Sequence, residues 1–173
     1  MSGTILCHRE GAIATVTLAN PGKLNAIDFA MWRQLTETFA QLSGDGEVRC
    51  VVLRGEGDQA FAAGGDIEEF VHRRDTLERA MAYHAQVGAA LRAIFDCRHP
   101  TVALIQGACI GGGLEIAAQC DLRICGQSSR FGAPINKLGF SMYPGEMDGL
   151  LRLAGAATVS EILLEGRILG APE

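Results

Sequence analysis

A glycine-rich segment between an apolar run and a helix-forming stretch carries the residues best suited to chemistry. The segment Gly107–Glu115 reads Gly-Ala-Cys-Ile-Gly-Gly-Gly-Leu-Glu, and it follows the apolar run 101–105. Glycines let a backbone approach a ligand closely, because no Cβ stands in the way. The first N–H groups of a helix have no partner within the helix and lie at its positive end. The segment therefore predicts a turn that can bind a negatively charged oxygen.

Glu115 lies in the first turn of this predicted helix, among apolar neighbours. A carboxyl group in apolar surroundings, next to amides that can hold an anion, suggests proton transfer on a carbonyl compound. The alternative is a glycine-rich helix packed closely on a sheet, in which Glu115 is simply favoured by the helix dipole. This segment alone does not separate the two interpretations.

A second glycine-rich segment, Phe61–Ile67, also lies between a predicted strand and a predicted helix that begins near Asp66. Two backbone N–H groups that meet at one oxygen form an oxyanion hole, and losing one donor typically lowers the rate by about 10²–10³. A positioned carboxylate contributes a further factor of about 10²–10⁴. Together the two segments suit the removal or addition of a proton beside a thioester carbonyl, provided that the fold brings them together.

The elements that must position these segments alternate between strands and helices. Apolar patterns predict strands at 5–6, 11–18, 49–54, 101–105 and 122–125, and helices at 29–42, 77–97, 149–154 and 157–164. Asp28 is a suitable N-cap for the first helix, whereas the polar stretch His72–Thr76 is expected to be exposed. The alternation indicates a single α/β domain over residues 1–173, with helices covering a sheet.

Composition argues against several classes of protein. The chain has a net charge of −5 and no basic stripe, which argues against nucleic acid as a partner. Its apolar runs are far shorter than the roughly 20 residues needed to span a bilayer, and the N-terminus does not have the pattern of a signal peptide. Six cysteines include no Cys-x-x-Cys pair, so we expect no metal site and a reducing, cytoplasmic compartment.

Three motifs in this order resemble the crotonase, or enoyl-CoA hydratase/isomerase, superfamily over essentially the whole chain: Asn20–Ala26, Phe61–Asp66 and Gly107–Glu115. The resemblance implies a β-β-α superhelix with two sheets flanked by helices. It also implies acyl-CoA substrates, as in fatty acid metabolism, with no cofactor beyond the CoA of the substrate. The partner would be further copies of the chain, as a homo-oligomer (a trimer or a dimer of trimers).

The resemblance also assigns roles to residues. The backbone N–H groups of Gly65 and Gly112 would form the oxyanion hole, and Glu115 would be the acid/base. The acyl-CoA would be bound by a set of loop residues, namely Lys23, Leu24, Ala26, Ala63, Gly64, Asp66 and Ile67. The four histidines match no catalytic position of the family and are interpreted as structural or solvated. The cluster His72–Arg74 could meet CoA phosphates, although a solvated helix face fits it better.

The chain departs from the family pattern at two places. Hydratases carry a second glutamate after the element Phe-Gly-x-Pro, and here Phe131–Pro134 is followed by Ile135. One carboxylate suffices to move a proton between the α and γ carbons, so double-bond isomerisation is favoured, with hydration close behind. The loop Gly139–Gly145 is about two residues longer than is usual in the family, and Glu146, which follows it, is a further candidate acid.

The second departure is the C-terminal end, since family members usually continue with helices beyond the position of Glu173. A short or absent helical segment would leave apolar surface uncovered, and we expect such surface to favour self-association. Decarboxylation and thioester hydrolysis stay open, because a fold does not fix its reaction. A protein that binds CoA thioesters without turnover, or an inactive paralogue, also stays open.

Overall fold

The computed structural model describes residues 2–173, which form two β-sheets with helices packed on them. The larger sheet has the strand order β1-β2-β3-β5-β7. Its strands are β1 (Thr4–Glu10), β2 (Ile13–Ala19), β3 (Cys50–Gly55), β5 (Thr101–Ile105) and β7 (Leu122–Cys125). β1 runs antiparallel to β2 and the other neighbours are parallel, as expected where helices connect successive strands.

The smaller sheet has the order β4-β6-β8-β9, and it lies next to the site. Its strands are β4 (Ala60–Ala62), β6 (Ala108–Ile110), β8 (Arg130–Gly132) and β9 (Leu169–Gly170). β4 and β6 pair in parallel, so the chain leaves both strands in the same direction. Each of these two strands is followed by one of the glycine-rich segments, which the sheet therefore delivers side by side.

The helices are α1 (Phe29–Gly44), α2 (Ile67–Arg73), α3 (Leu77–Phe95), α4 (Gly112–Gln119) and α5 (Pro144–Ser160). A 3₁₀ turn covers Ile135–Leu138, and a π-helical turn covers Glu161–Glu165. The expected N-cap of α1 is confirmed, because the Asp28 carboxylate accepts a hydrogen bond of 2.9 Å from the Met31 backbone N–H. Asp66 and Thr76 cap α2 and α3 in the same way.

The core lies between the inner face of the larger sheet and helices α1, α3 and α4. Alternate residues of β2 are buried, as a half-buried strand requires, and they belong to one cluster with the apolar side of α1. That side of α1 carries Trp32, Leu35 and Phe39 at helical spacing. The outer face of the same sheet keeps large apolar side chains partly exposed, among them Leu6, Ile13, Leu122 and Ile124.

The predicted elements agree with the structure where patterns are long, and differ where elements are short. The break expected between 154 and 157 is present at Gly155, whose φ is +75°, although α5 begins at Pro144 rather than at 149. The strands of the smaller sheet have only two or three residues each, so no alternation could reveal them. None of the helices in residues 2–173 combines the length and the apolar character that a bilayer crossing would demand.

Candidate functional site

The structure brings the two glycine-rich segments into contact. A side-chain methyl at Gly112 would stand 3.4 Å from the Gly65 backbone nitrogen, and one at Gly111 would stand 3.6 Å from Gly64 Cα. Neither the Gly65 N–H nor the Gly112 N–H donates a hydrogen bond within the described part of the chain. Two free backbone donors therefore lie close together, at the N-terminus of α4.

A short bridge to the loop before α1 fixes the first of these donors. The Ile27 N–H donates to the Gly64 carbonyl at 2.8 Å, and the Asp66 N–H donates to the Ile27 carbonyl at 2.9 Å. These bonds hold both neighbours of Gly65 and leave its own N–H free. Gly64 has a φ of +111°, a conformation that side chains strongly disfavour, so this turn requires a glycine.

Helix α4 is pressed against β4, and this contact fixes the second donor. A methyl at Gly113 would lie 2.5 Å from the Ala62 carbonyl oxygen, so only a glycine allows the helix to approach the strand this closely. Every residue of α4 is buried. The Gly112 N–H and the Glu115 side chain are therefore held in position by a closely packed helix that is shielded from solvent.

Glu115 lines a cavity of about 370 Å³, and the residue is only 7% exposed. Burial raises the pKa of Glu115 well above its usual range, because the ionised carboxylate loses its water; the charge of Glu146 adds to this effect and Arg74 opposes it. A buried carboxyl group whose pKa is raised in this way is suited to give and take a proton at a carbon atom.

The walls of the cavity are mostly apolar, and its size falls in the range of small-molecule sites. They include Trp32, Phe70, Val87, Ile110, Ile135 and Met142. Ile135, the residue that follows Phe131–Pro134, contributes only aliphatic surface here.

A second carboxylate nevertheless lines the same cavity, and it comes from α5. Glu146 lies in the first turn of that helix, where its Oε2 accepts a hydrogen bond of 3.4 Å from the Tyr143 N–H. Its Oε1 lies 2.8 Å from His84 Nδ1, and the His84 ring stacks on Tyr143 with centroids 4.8 Å apart. The sequence pattern had raised Glu146 as a candidate acid, but nothing in it linked His84 to a residue 62 positions away.

Arg74 also lines the cavity and is partly buried, whereas the other four residues of the stretch His72–Thr76 are exposed as expected. Helix α2 ends at Arg73 and the chain turns, with the Arg74 N–H donating to the Phe70 carbonyl at 2.9 Å. The Arg74 guanidinium then lies 3.9 Å from the Phe70 ring centroid and 4.3 Å from that of Tyr83. Burial raises the pKa of Tyr83 to about 12, so this phenol keeps its proton.

The residues expected to bind the acyl-CoA divide between two neighbouring places. Those that line the cavity with Glu115 are Ala63, Gly64 and Ile67, and the two residues expected to form the oxyanion hole, Gly65 and Gly112, line it as well. Lys23 and Asp66 line an adjoining hollow, in which Lys23 Nζ lies 2.7 Å from Asp66 Oδ2 and 2.7 Å from Glu68 Oε2.

Leu24 and Ala26, the remaining two, do not reach the cavity. Leu24 is half exposed on the turn after β2, and Ala26 is buried beside it. Four residues of the expected binding set therefore lie outside the cavity of Glu115, namely Lys23, Leu24, Ala26 and Asp66. Within residues 2–173, no three His, Cys, Asp or Glu side chains are grouped closely enough to hold a metal ion.

Comparison with known proteins links this geometry to one family. Residues 8–173 match the family model described as enoyl-CoA hydratase/isomerase. A probable enoyl-CoA hydratase from Mycobacterium bovis is 33% identical over 170 residues, which is 98% of this chain and 64% of the relative. A mitochondrial Delta(3,5)-Delta(2,4)-dienoyl-CoA isomerase from Dictyostelium discoideum is 27% identical, over 92% of this chain and 57% of the relative.

Solved structures give the same result for the fold. The crystal structure of an enoyl-CoA hydratase/carnithine racemase from Magnetospirillum magneticum superposes with a TM-score of 0.96 and 47% identity, covering 98% of this chain and 63% of that chain. The expected two-sheet architecture with flanking helices is thereby confirmed. The chain spans about two thirds or less of the length of the proteins that it resembles, 64% for the Mycobacterium bovis relative.

Proposed function

The chain belongs to the enoyl-CoA hydratase/isomerase family, and from this premise we propose that it is an enzyme that transfers a proton at the α-carbon of an enoyl-CoA thioester. One observation carries the proposal: Glu115 is buried in an apolar cavity at the point where the free N–H groups of Gly65 and Gly112 lie together. The thioester oxygen would accept hydrogen bonds from both amides, which stabilise the negative charge that develops on it.

The acyl group would occupy the cavity beside Ala63, Gly64 and Ile67. The rest of the CoA would extend over the adjoining surface, where Lys23, Leu24, Ala26 and Asp66 lie. Lys23 is engaged with Asp66 and Glu68 in this structure, so CoA phosphates would have to compete with two carboxylates for its ammonium group.

Hydration is the reaction that the geometry supports best. It needs a group that takes a proton from water and another that gives one to the α-carbon, and two carboxylates line the cavity. In our proposal Glu146, oriented by His84, accepts the proton of the water whose oxygen bonds to the β-carbon. The two amides stabilise the enolate charge until Glu115, whose raised pKa favours the protonated form, donates its proton to the α-carbon.

Isomerisation is the second candidate, and Ile135 is the observation that favours it. The second glutamate of the family is replaced by an aliphatic wall, and Glu115 alone could carry a proton between the α and γ carbons. The Dictyostelium relative is named as an isomerase, so both reactions occur among proteins similar to this chain.

Absorbance of the conjugated thioester separates the candidates. Hydration of a trans-2-enoyl-CoA lowers the absorbance, whereas isomerisation of a 3-enoyl-CoA raises it. We expect Glu115→Gln to lower kcat by about 10²–10⁴ on the substrate that reacts, and Glu146→Gln to lower hydration alone. Glu37→Gln, an exposed change of the same kind on α1, is the matched control and should leave both traces unchanged.

Two results would sink parts of this proposal. Full hydratase activity in Glu146→Gln would remove that residue from the mechanism and leave Glu115 with an unidentified partner. If the absorbance stays constant with both substrates although each binds tightly, the chain is a CoA-thioester-binding protein or an inactive paralogue. Decarboxylation and thioester hydrolysis, other reactions of this scaffold, would then be assayed by release of carbon dioxide and of free thiol.

A further inference from the structure

Arg74 brings a positive charge into the cavity that contains Glu115, and this charge has no counter-ion there. Within residues 2–173 no carboxylate oxygen lies within 4.0 Å of its guanidinium nitrogens, and its Nε is buried without a hydrogen-bond partner. An arginine side chain stays protonated under all conditions in which proteins are folded. The cavity therefore holds a permanent cation among mostly apolar walls.

The two carboxyl groups of the cavity do not neutralise this cation directly. Glu146 is engaged with His84 and with the Tyr143 N–H. Glu115 lies beyond ion-pair distance of the guanidinium, and its burial favours the uncharged form. The remaining cation of the lining, Lys137, adds further positive charge.

Aromatic rings surround the guanidinium, and its Nε donates no hydrogen bond. Arg74 Cζ lies 3.9 Å from the Phe70 ring centroid, 4.3 Å from that of Tyr83 and 5.6 Å from that of Phe140. Contacts with aromatic rings offset part of the cost of removing the guanidinium charge from water. They leave guanidinium N–H groups free to donate hydrogen bonds. A fork of parallel N–H groups matches the two oxygens of a carboxylate.

We propose that Arg74 binds a carboxylate on the acyl group, so that the preferred substrate is an enoyl-CoA whose acyl chain carries a negative charge. The inference rests on the proposed function, since it takes the thioester carbonyl to lie at Gly65 and Gly112. The substrate carboxylate would serve as the counter-ion of Arg74, and the guanidinium would therefore bind it in preference to an apolar chain end.

The distance between the two ends of the cavity limits the length of that chain. A methyl at Gly65 would lie 3.2 Å from Phe70 Cζ and 3.2 Å from the Tyr83 hydroxyl, and these are the rings on which Arg74 rests. The guanidinium is thus separated from the carbonyl-binding amides by about one aromatic ring. With bonds of about 1.5 Å, this span suits acyl groups of about four to six carbons.

The test compares matched substrates on the unaltered full chain. Trans-2-enoyl-CoA thioesters of these lengths would be made with a terminal carboxylate and, for each, with a methyl group in its place. We expect kcat/KM to favour at least one carboxylated substrate by about 100-fold or more, because a site built for a polar group rejects the analogue that lacks it. Equal kcat/KM values within every pair would overturn the proposal.

Variants then assign the preference to Arg74. We expect Arg74→Gln to abolish the preference by lowering kcat/KM for the carboxylated substrates to the values of their methyl analogues, and Arg74→Lys to retain a smaller preference, since it keeps the charge without the planar fork. Arg33→Gln, on the exposed surface of α1, is the matched control and should keep the full preference. Thermal melting of each variant establishes that it is folded.

Other roles of Arg74 would give different results. Weaker binding of free CoA by Arg74→Gln would point to CoA phosphates and overturn the proposal. An equal loss of kcat/KM for both substrates of a pair in Arg74→Gln, with a shifted pH profile of kcat, would show that Arg74 acts only through Glu115. This result would also overturn the proposal. If no thioester is turned over, the proposed function fails, and calorimetric binding of the same pairs still decides whether Arg74 selects a carboxylate.

Discussion

The carboxyl group of Glu115 lies among apolar atoms, so its ionisation should destabilise the fold. Its pKa in the folded chain is raised above the ordinary value of 4.5, mainly by burial. Between these two pKa values the folded state binds more protons than the unfolded state, and the free energy of unfolding therefore falls as pH rises. The loss begins near the ordinary pKa and is complete above the raised one.

Replacing this group should remove that pH dependence. We expect Glu115→Gln to gain stability relative to the unaltered chain as pH rises, by up to about 1.4 kcal/mol for each pH unit in the window between the two pKa values. Urea unfolding of both proteins between pH 5 and pH 8 measures the difference. A difference that stays constant over this range would mean that Glu115 ionises as freely in the folded chain as in water.

The polar groups of the cavity could be foreseen only where they belong to a local motif. Glu115 is a candidate because it lies in a glycine-rich segment between a strand and a helix, whereas the roles of Gly65 and Gly112 follow from the resemblance of their segments to family motifs. Arg74 belongs to a polar stretch that resembles any solvated surface, and its position depends on rings from other elements. Glu146 was a candidate acid from the length of the loop before it, but its contact with His84 forms only after the chain has folded, so His84 had no local signal.

At the scale of elements, the close contact between α4 and β4 sets the position of the Gly112 N–H. Because a methyl at Gly113 would overlap the Ala62 carbonyl oxygen, we expect Gly113→Ala to destabilise the fold by about 1–3 kcal/mol. The helix would also have to move away from the strand, which should lower kcat more than it changes KM. Urea unfolding and steady-state kinetics measure the two effects.

Gly88 in α3 offers the matched control for this substitution. A methyl there would meet nothing within 4 Å, so Gly88→Ala should stabilise the fold by up to about 1 kcal/mol through helix propensity. Equal effects of the two substitutions would show that α4 does not depend on its close approach to β4.

Elements were predictable in proportion to their length. The helices α1 and α3 extend over 16 and 19 residues, enough for their apolar spacing to be evident. The strands β4, β6 and β8 have three residues each, and they exist because neighbouring segments pair with them rather than through any pattern of their own. The sheet that positions the glycine-rich segments was thus not visible in the local sequence.

At the scale of the whole molecule, the outer face of the larger sheet carries several exposed apolar side chains. On β7, Leu122 is 59% exposed and Ile124 is 58% exposed, and both lie beside residues of β5 on the same face. Surfaces of this kind favour association in water. We therefore expect the chain to self-associate, and Ile124→Lys to shift it towards smaller species in light scattering after size-exclusion chromatography.

The control for this change is Gln41→Lys, which adds the same charge on exposed surface of α1. It should leave the size distribution unchanged. A monomer in the unaltered chain at high concentration would contradict the expectation of a homo-oligomer.

The overall fold itself followed from the order of three motifs over the whole length, since no single strand or helix determines how two sheets are arranged.

The cavity also contains the chain's single tryptophan. Trp32 is buried, and its indole ring would lie 3.0 Å from a methyl at Gly112, beside the amide proposed to hold the thioester oxygen. Its Nε1 has no hydrogen-bond partner, so the emission of the indole depends on what occupies the space next to it. The chain thus has an intrinsic fluorophore at its proposed reaction centre, and ligand entry can be followed in real time without any label.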